Sequence, residues 1–148
     1  MSTPRHNGFT LIELLVVLLV MGLVLSMAPT AFHRVMPGLA LKAAAREVAA
    51  VFREARSVAI RDNRETAVIV DTQAKAYRLD GARPDHALDP AFGVTLVAAA
   101  SERLGESAGR IRFFPDGTST GGRLSLTRNE RTYHIVVDWL TGRVDVVR

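Results

Sequence analysis

Twenty residues, Phe9 to Ala28, form an almost unbroken apolar run in which only Thr10, Glu13 and Ser26 are clearly polar. As a helix this run is about 30 Å long, the thickness of a bilayer's hydrocarbon core, so the chain can cross a membrane once. Three readings compete: a cleaved secretory signal, a plain membrane anchor, and an anchor with special processing. Ser26-Met27-Ala28 has the small-x-small form of a signal cleavage site, and Arg5 supplies a basic start. Against a cut there, Pro29 would follow the scissile bond, and Glu13 opens the segment where only apolar residues are wanted. Charge leaves orientation open, because Arg5 stands on one side while Arg34, Lys42 and Arg46 stand on the other. That balance leans against an inside N-terminus, but the rule is weak for large translocated domains, and the N-terminus is placed inside.

Glu13 is the residue to explain. Thr10-Leu11-Ile12-Glu13 fits a capping box, with Thr10 as N-cap and the carboxylate reaching back to an orphan backbone N–H. An acid there also complements the helix dipole. Yet an acidic residue costs about 2.5 to 3.5 kcal/mol near the bilayer centre, and less toward the interface. A cation would offset that cost, and none follows within the run. A cut after Gly8 would create one, since the new α-amine of Phe9 lies one turn from Glu13.

Gly8-Phe9-Thr10-Leu11-Ile12-Glu13 before a long apolar run resembles the type III signal of type IV pilins and pseudopilins. The resemblance implies that prepilin peptidase cuts between Gly8 and Phe9, that Phe9 is then N-methylated, and that Glu13 guides subunit docking with the Phe9 amine. Three further stretches, AAREVAAVFREARSVAIRDNRE, RFFPDGTSTGGRLSL and VVDWLTGRV, are similar to the H-type minor pseudopilins of type II secretion, the GspH class. Residues 80 to 105 fall outside the likeness. The class implies a pilin-like fold and a single-pass inner-membrane protein with a periplasmic C-terminal domain. It also implies a place in the pseudopilus, linking the tip complex to the major pseudopilin. The implied partners are other minor pseudopilins, the major pseudopilin, prepilin peptidase and inner-membrane lipid.

A chain of 148 residues leaves about 120 beyond the apolar run, enough for one modest core. Pro29 and Pro37 predict a bend or short break, after which Leu41, Ala45, Val48, Phe52, Ala55 and Ala59 recur at helical spacing to about Asp62. On the opposite face Arg46 and Arg53 run beside Glu47 and Glu54, a solvated face or complementary stripes for neighbouring subunits. Beyond Asn63 the period becomes two, predicting strands at 65–71, 75–79, 93–97, 110–114, 123–127, 132–138 and 143–147. Short strands with few helices imply antiparallel sheets. The expected class is α+β: a long N-terminal helix, its first half in the membrane and its second packed on a C-terminal antiparallel domain, with two sheets implied by the resemblance. The expected segments are a leader at 1–8, a transmembrane and filament-core helix at 9–28, an amphipathic second half at 29–62, and a β domain at 63–148.

Chemistry finds little purchase. Without cysteine there is no disulfide framework, thiolate metal site or cysteine nucleophile. Gly117-Thr118-Ser119-Thr120-Gly121 matches G-x-S-x-G, but a nucleophile elbow needs a helix after it, and a strand-like RLSLT comes next. The same loop lacks the Lys-Ser/Thr ending of a phosphate-binding P-loop. His6, His33, His86 and His134 show no metal-ligand spacing, and Asp80, Asp85 and Asp89 do not form an EF-hand pattern. No enzyme, cofactor, metal or small-molecule substrate is therefore expected. Trp139, beside a Thr-Gly turn, is expected to anchor the last hairpin to the core. Net charge is +4, with 17 Arg and 2 Lys scattered along the chain, which permits nucleic acid without calling for it. The alternative function is a minor pilin for DNA uptake, using Arg123, Arg128, Arg131, Arg143 and Arg148, with an affinity that falls steeply as salt rises.

Overall fold

The computed structural model describes residues 10–35, 37–83 and 85–148, with backbone alone for 24–35 and 37. Two compact units result, Met1–Met36 and Pro37–Arg148, and each is taken by itself. In the first, helix α1 (Leu11–Val35) runs through Pro29. In the second, Pro37 is the first residue of helix α2 (Pro37–Arg61), a position that suits its fixed φ and missing N–H. Met36, in the stretch where a bend or short break is expected, lies outside the described residues. Asn63 stops α2 in the left-handed region at φ 48°, and the Arg64 N–H donates back to the Ala59 carbonyl at 3.2 Å.

Beyond α2 the chain forms eight strands: β1 (Thr66–Asp71), β2 (Ala76–Leu79), β3 (His86–Ala87), β4 (Gly93–Ala98), β5 (Ala108–Phe113), β6 (Gly122–Arg128), β7 (Arg131–Val137) and β8 (Val144–Val147). They make two four-stranded antiparallel sheets, in the orders β3-β2-β1-β5 and β4-β6-β7-β8. Each of the seven strands expected from alternation is present. The eighth, β3, lies within GARPDHALDP, which alternation alone reads as loop, and it is only two exposed residues long.

The core sits where α2 meets both sheets. Leu41, Ala45, Val48, Phe52, Ala55 and Ala59 are all fully buried, as their spacing requires. Four alanines on that face, Ala45, Ala49, Ala55 and Ala59, let the helix approach the sheets closely. Phe52 meets Phe113 of β5 with ring centroids 6.4 Å apart, a tilted pair. From the sheets come Val68 and Val70 of β1, Ile111 of β5, Leu124 and Leu126 of β6, and Ile135 of β7. Tyr77 of β2 is buried there too; burial, and then the nearby Glu47 carboxylate, push its phenol up to about 12.

One polar feature is not legible in the sequence. Alternation along β5 buries Gly109, Ile111 and Phe113 and turns Arg110 and Arg112 outward together. Both close on Glu102, which ends a 3-10 turn (Ala100–Glu102) and is only 4% exposed. Arg110 Nε donates to Glu102 Oε2 at 2.6 Å, and Arg112 reaches Oε1 at 3.1 Å while also holding Glu65 at 2.6 Å. The carboxylate therefore pins the connection between β4 and β5. Replacing it with alanine leaves Arg110 without its carboxylate and Arg112 with Glu65 alone, and Glu102→Ala is expected to cost about 1 to 3 kcal/mol in urea unfolding. The double variant Glu102→Ala, Arg110→Ala should cost less than the sum of the single changes.

Candidate assembly surface

Helix α1 begins with half of the expected capping box. The Glu13 N–H donates to the Thr10 carbonyl at 3.1 Å and lies 3.4 Å from Thr10 Oγ1. The side chains described from Leu11 to Leu23 are exposed on every face, among them Leu11 at 84%, Ile12 at 72% and Leu18 at 61%. A helix apolar all round is one made to be buried in lipid or protein. Burying each such side chain is worth about 1.5 to 3 kcal/mol, so this surface demands a cover. Leu11, Leu14, Leu15 and Leu18 line a shallow apolar concavity beside Thr10. Among the described residues Glu13 has no ion-pair partner. Gly8 and Phe9 lie outside the described residues. Among the described residues, no helix is long and apolar enough to cross a membrane.

The glycine-rich stretches of the second unit are structural. Arg56 of α2 donates from Nε to the Gly117 carbonyl at 3.1 Å, and Arg53 donates to the Val144 carbonyl at 3.0 Å. Gly142, at φ 61°, fits under this arrangement because a Cβ there would stand 2.2 Å from the Gly117 oxygen. Asp116 accepts from Thr118, and Asp138 accepts from Leu140 N–H, Thr141 N–H and the Thr141 hydroxyl. The threonine hydroxyl bonds, first among the causes, hold both carboxyls below the usual aspartate range. Ser119 is buried, and its hydroxyl accepts from the Gly121 N–H at 2.7 Å to close a turn. The chain passes from this turn into strand β6 rather than a helix, and His134 is engaged with Ser125 at 2.9 Å. The G-x-S-x-G match is thus a turn and not a nucleophile elbow.

Trp139 departs from expectation. Its side chain is 66% exposed and does not anchor the hairpin in the core. The Asp138 turn lifts the ring outward, and the anchoring falls to the Trp139 backbone carbonyl, which accepts from the Ser119 N–H at 2.9 Å. The five C-terminal arginines do not act together as free cations. Arg128 is paired with Asp89 at 3.1 Å and lies over the Phe92 ring, and Arg143 is paired with Asp145 at 2.8 Å. Of the loop aspartates, Asp85 faces Arg78 and Asp89 faces Arg128. Among the described residues no three His, Asp or Glu side chains converge as metal ligands.

Comparison with known proteins accounts for both units. Residues 3–29, which contain Gly8, Phe9 and Glu13, match the prokaryotic N-terminal methylation motif. Residues 44–141 match the family described as Type II transport protein GspH. The type II secretion system protein H of Xanthomonas campestris pv. campestris is 31% identical over 138 residues, covering 93% of this chain and 81% of that protein. Among solved structures, the minor pseudopilin EpsH of the Vibrio cholerae type 2 secretion system superposes with a TM-score of 0.56 at 14% identity, over 72% of this chain and 94% of that one. The type IV minor pilin FimU of Pseudomonas aeruginosa gives 0.54 at 16% identity, over 73% and 88%. These two likenesses establish a pilin-like α+β fold. With an apolar helix bearing the methylation motif and a two-sheet domain matching over most of its length, this chain belongs to the GspH family, the minor pseudopilins of type II secretion, which are structural subunits assembling with other pseudopilins.

Proposed function

We propose that this minor pseudopilin is a non-catalytic, single-pass inner-membrane subunit with its C-terminal domain in the periplasm, joining the tip complex of the pseudopilus to the major pseudopilin. The observation that carries the reading is the exposed apolar surface of α1 with one carboxylate, Glu13, a turn from its start. Prepilin peptidase cuts between Gly8 and Phe9, and Phe9 is N-methylated. The Phe9 amine then pairs with Glu13 of its own or an adjacent subunit. Residues 9–28 are stored in lipid and then transferred into a bundle of like helices, where protein packing replaces lipid around Leu14 to Leu25.

The intact mass of the chain from a host with the peptidase tests this. The expected product has lost residues 1–8 and gained one methyl group. A mature chain beginning at Met1, or trimmed after Ala28 with the apolar run discarded, would overturn the mechanism.

A further inference from the structure

The two sheets leave four edge strands, and three of them are blunted. β3 is two residues long. β5 is covered by neighbouring chain: the Leu104 N–H donates to the Ala108 carbonyl at 2.8 Å, and the Thr120 N–H donates to the Arg112 carbonyl at 2.9 Å. β8 has four residues, lies among Arg143, Asp145 and Arg148, and has its Val144 carbonyl taken by Arg53. β4 differs from all three. Its six residues, GVTLVA, contain no charge and no proline, the devices by which proteins protect an edge from pairing.

The direction of its free groups is set by the register. The Val97 carbonyl oxygen lies 2.7 Å from where a Cβ on Gly122 would stand, so it points toward β6. Backbone polar groups alternate sides along a strand, so Gly93, Thr95 and Val97 serve β6 while Val94, Leu96 and Ala98 turn theirs away. Among the described residues no hydrogen bond reaches those outward groups. The strand itself is held firmly: Val94 and Leu96 pack on the core, and Gly109 leaves room for the Leu96 side chain. Beside the open ladder lies a groove of about 280 Å³, with Leu96, Val97 and Ala98 on one wall and Arg103, Glu106 and Ser107 on the other. Val97 is 62% exposed at its mouth.

We propose that β4 is a docking edge for an extended segment of a neighbouring pseudopilin subunit, which adds as a fifth strand to this sheet. An unpaired row of N–H and C=O groups is satisfied as a set only by another extended backbone, and the neutral wall of the groove suits a segment uncharged at its centre. Pairing of β4 with the β4 of a second copy would be two-fold and closed, giving a dimer and no place in a growing helix, so the occupant is not a second β4. The inference rests on the filament role proposed above.

Backbone hydrogen exchange over residues 93–98 tests it, comparing the full chain alone in detergent micelles with the same chain in filaments co-assembled with its partner pseudopilins. The outward amides of Val94, Leu96 and Ala98 are expected to slow at least ~100-fold in the filament, while those facing β6 are protected in both. Ala98→Pro removes one outward donor, and edge strands tolerate proline where the N–H faces away from the ladder. Filament occupancy of that variant should drop at least ~10-fold, equivalent to about 1.4 kcal/mol, with its melting temperature unchanged. Should Ala98→Pro fail to fold, the wild-type exchange comparison decides alone. Outward amides that exchange equally fast in both states, or a folded Ala98→Pro chain that incorporates normally, refute the docking edge. Protection that appears in the chain alone together with a dimer assigns the edge to a second copy and also refutes it. A chain that never enters filaments defeats the filament role itself, whereas one that enters with β4 unprotected defeats only this inference.

Discussion

Glu13→Ala is expected to insert into the membrane at least as well as wild type and yet to fall ~100-fold or more in filament recovery. Insertion should ease because an acid within an apolar helix is costly, by up to about 2.5 to 3.5 kcal/mol at the bilayer centre. Under the proposed pairing assembly should fail, because the Phe9 amine would lose its carboxylate and leaving one charge of a buried pair uncompensated costs about 3 to 5 kcal/mol. The ratio of filament to membrane fractions, measured with matched expression of the other subunits, reads the effect. Glu13→Gln separates the two roles of this side chain. Glutamine still serves a capping box with Thr10, so a helix-start role survives the change while charge pairing does not. If Glu13→Gln assembles like wild type, Glu13 is a cap and the pairing mechanism is wrong.

Gly142→Ala should be the most damaging small substitution in the globular unit, at about 2 to 4 kcal/mol of stability. Two penalties coincide there. The left-handed backbone at φ 61° costs a non-glycine residue about 1 kcal/mol or more. In addition, the new methyl would meet the Gly117 carbonyl at 2.2 Å and Arg56 Nε at 2.9 Å, so the turn and the helix side chain that clamps it must both move. Gly81 supplies the control. It also has positive φ, at 81°, but nothing lies within 4 Å of its added Cβ, so Gly81→Ala should cost only about 1 kcal/mol. Urea unfolding of the two variants separates backbone strain from collision. Equal losses would show that the contact between Gly117 and Gly142 is soft.

The parts of this protein legible in its sequence are those where one face is buried repeatedly. Leu41 to Ala59 repeat at helical spacing because a whole helix face is covered. β5 alternates throughout and β6 through its middle because each sheet has one dry side, whereas β1 buries Thr66, Ala67 and Val68 in succession. Where burial does not repeat, the sequence is quiet. β3 has two residues and no period to detect, and Glu102 is isolated in a loop, its partners assembled only by the outward alternation of Arg110 and Arg112. Trp139 misleads because a large ring beside a turn suggests an anchor, whereas the Asp138 hydrogen bonds that shape this turn project the ring outward. The functional surface reverses the usual logic. The Phe9 to Ala28 run announces itself by what no small domain can bury, and Glu13 by being the lone charge inside it.

Helix α2 touches β1, β2 and β5 of one sheet and β6, β7 and β8 of the other. Pro37 is its first residue. A load on α2 is therefore shared by two sheets at once. Separating α2 from the sheets would uncover its whole Leu41 to Ala59 face, which packs in a core fed by both of them.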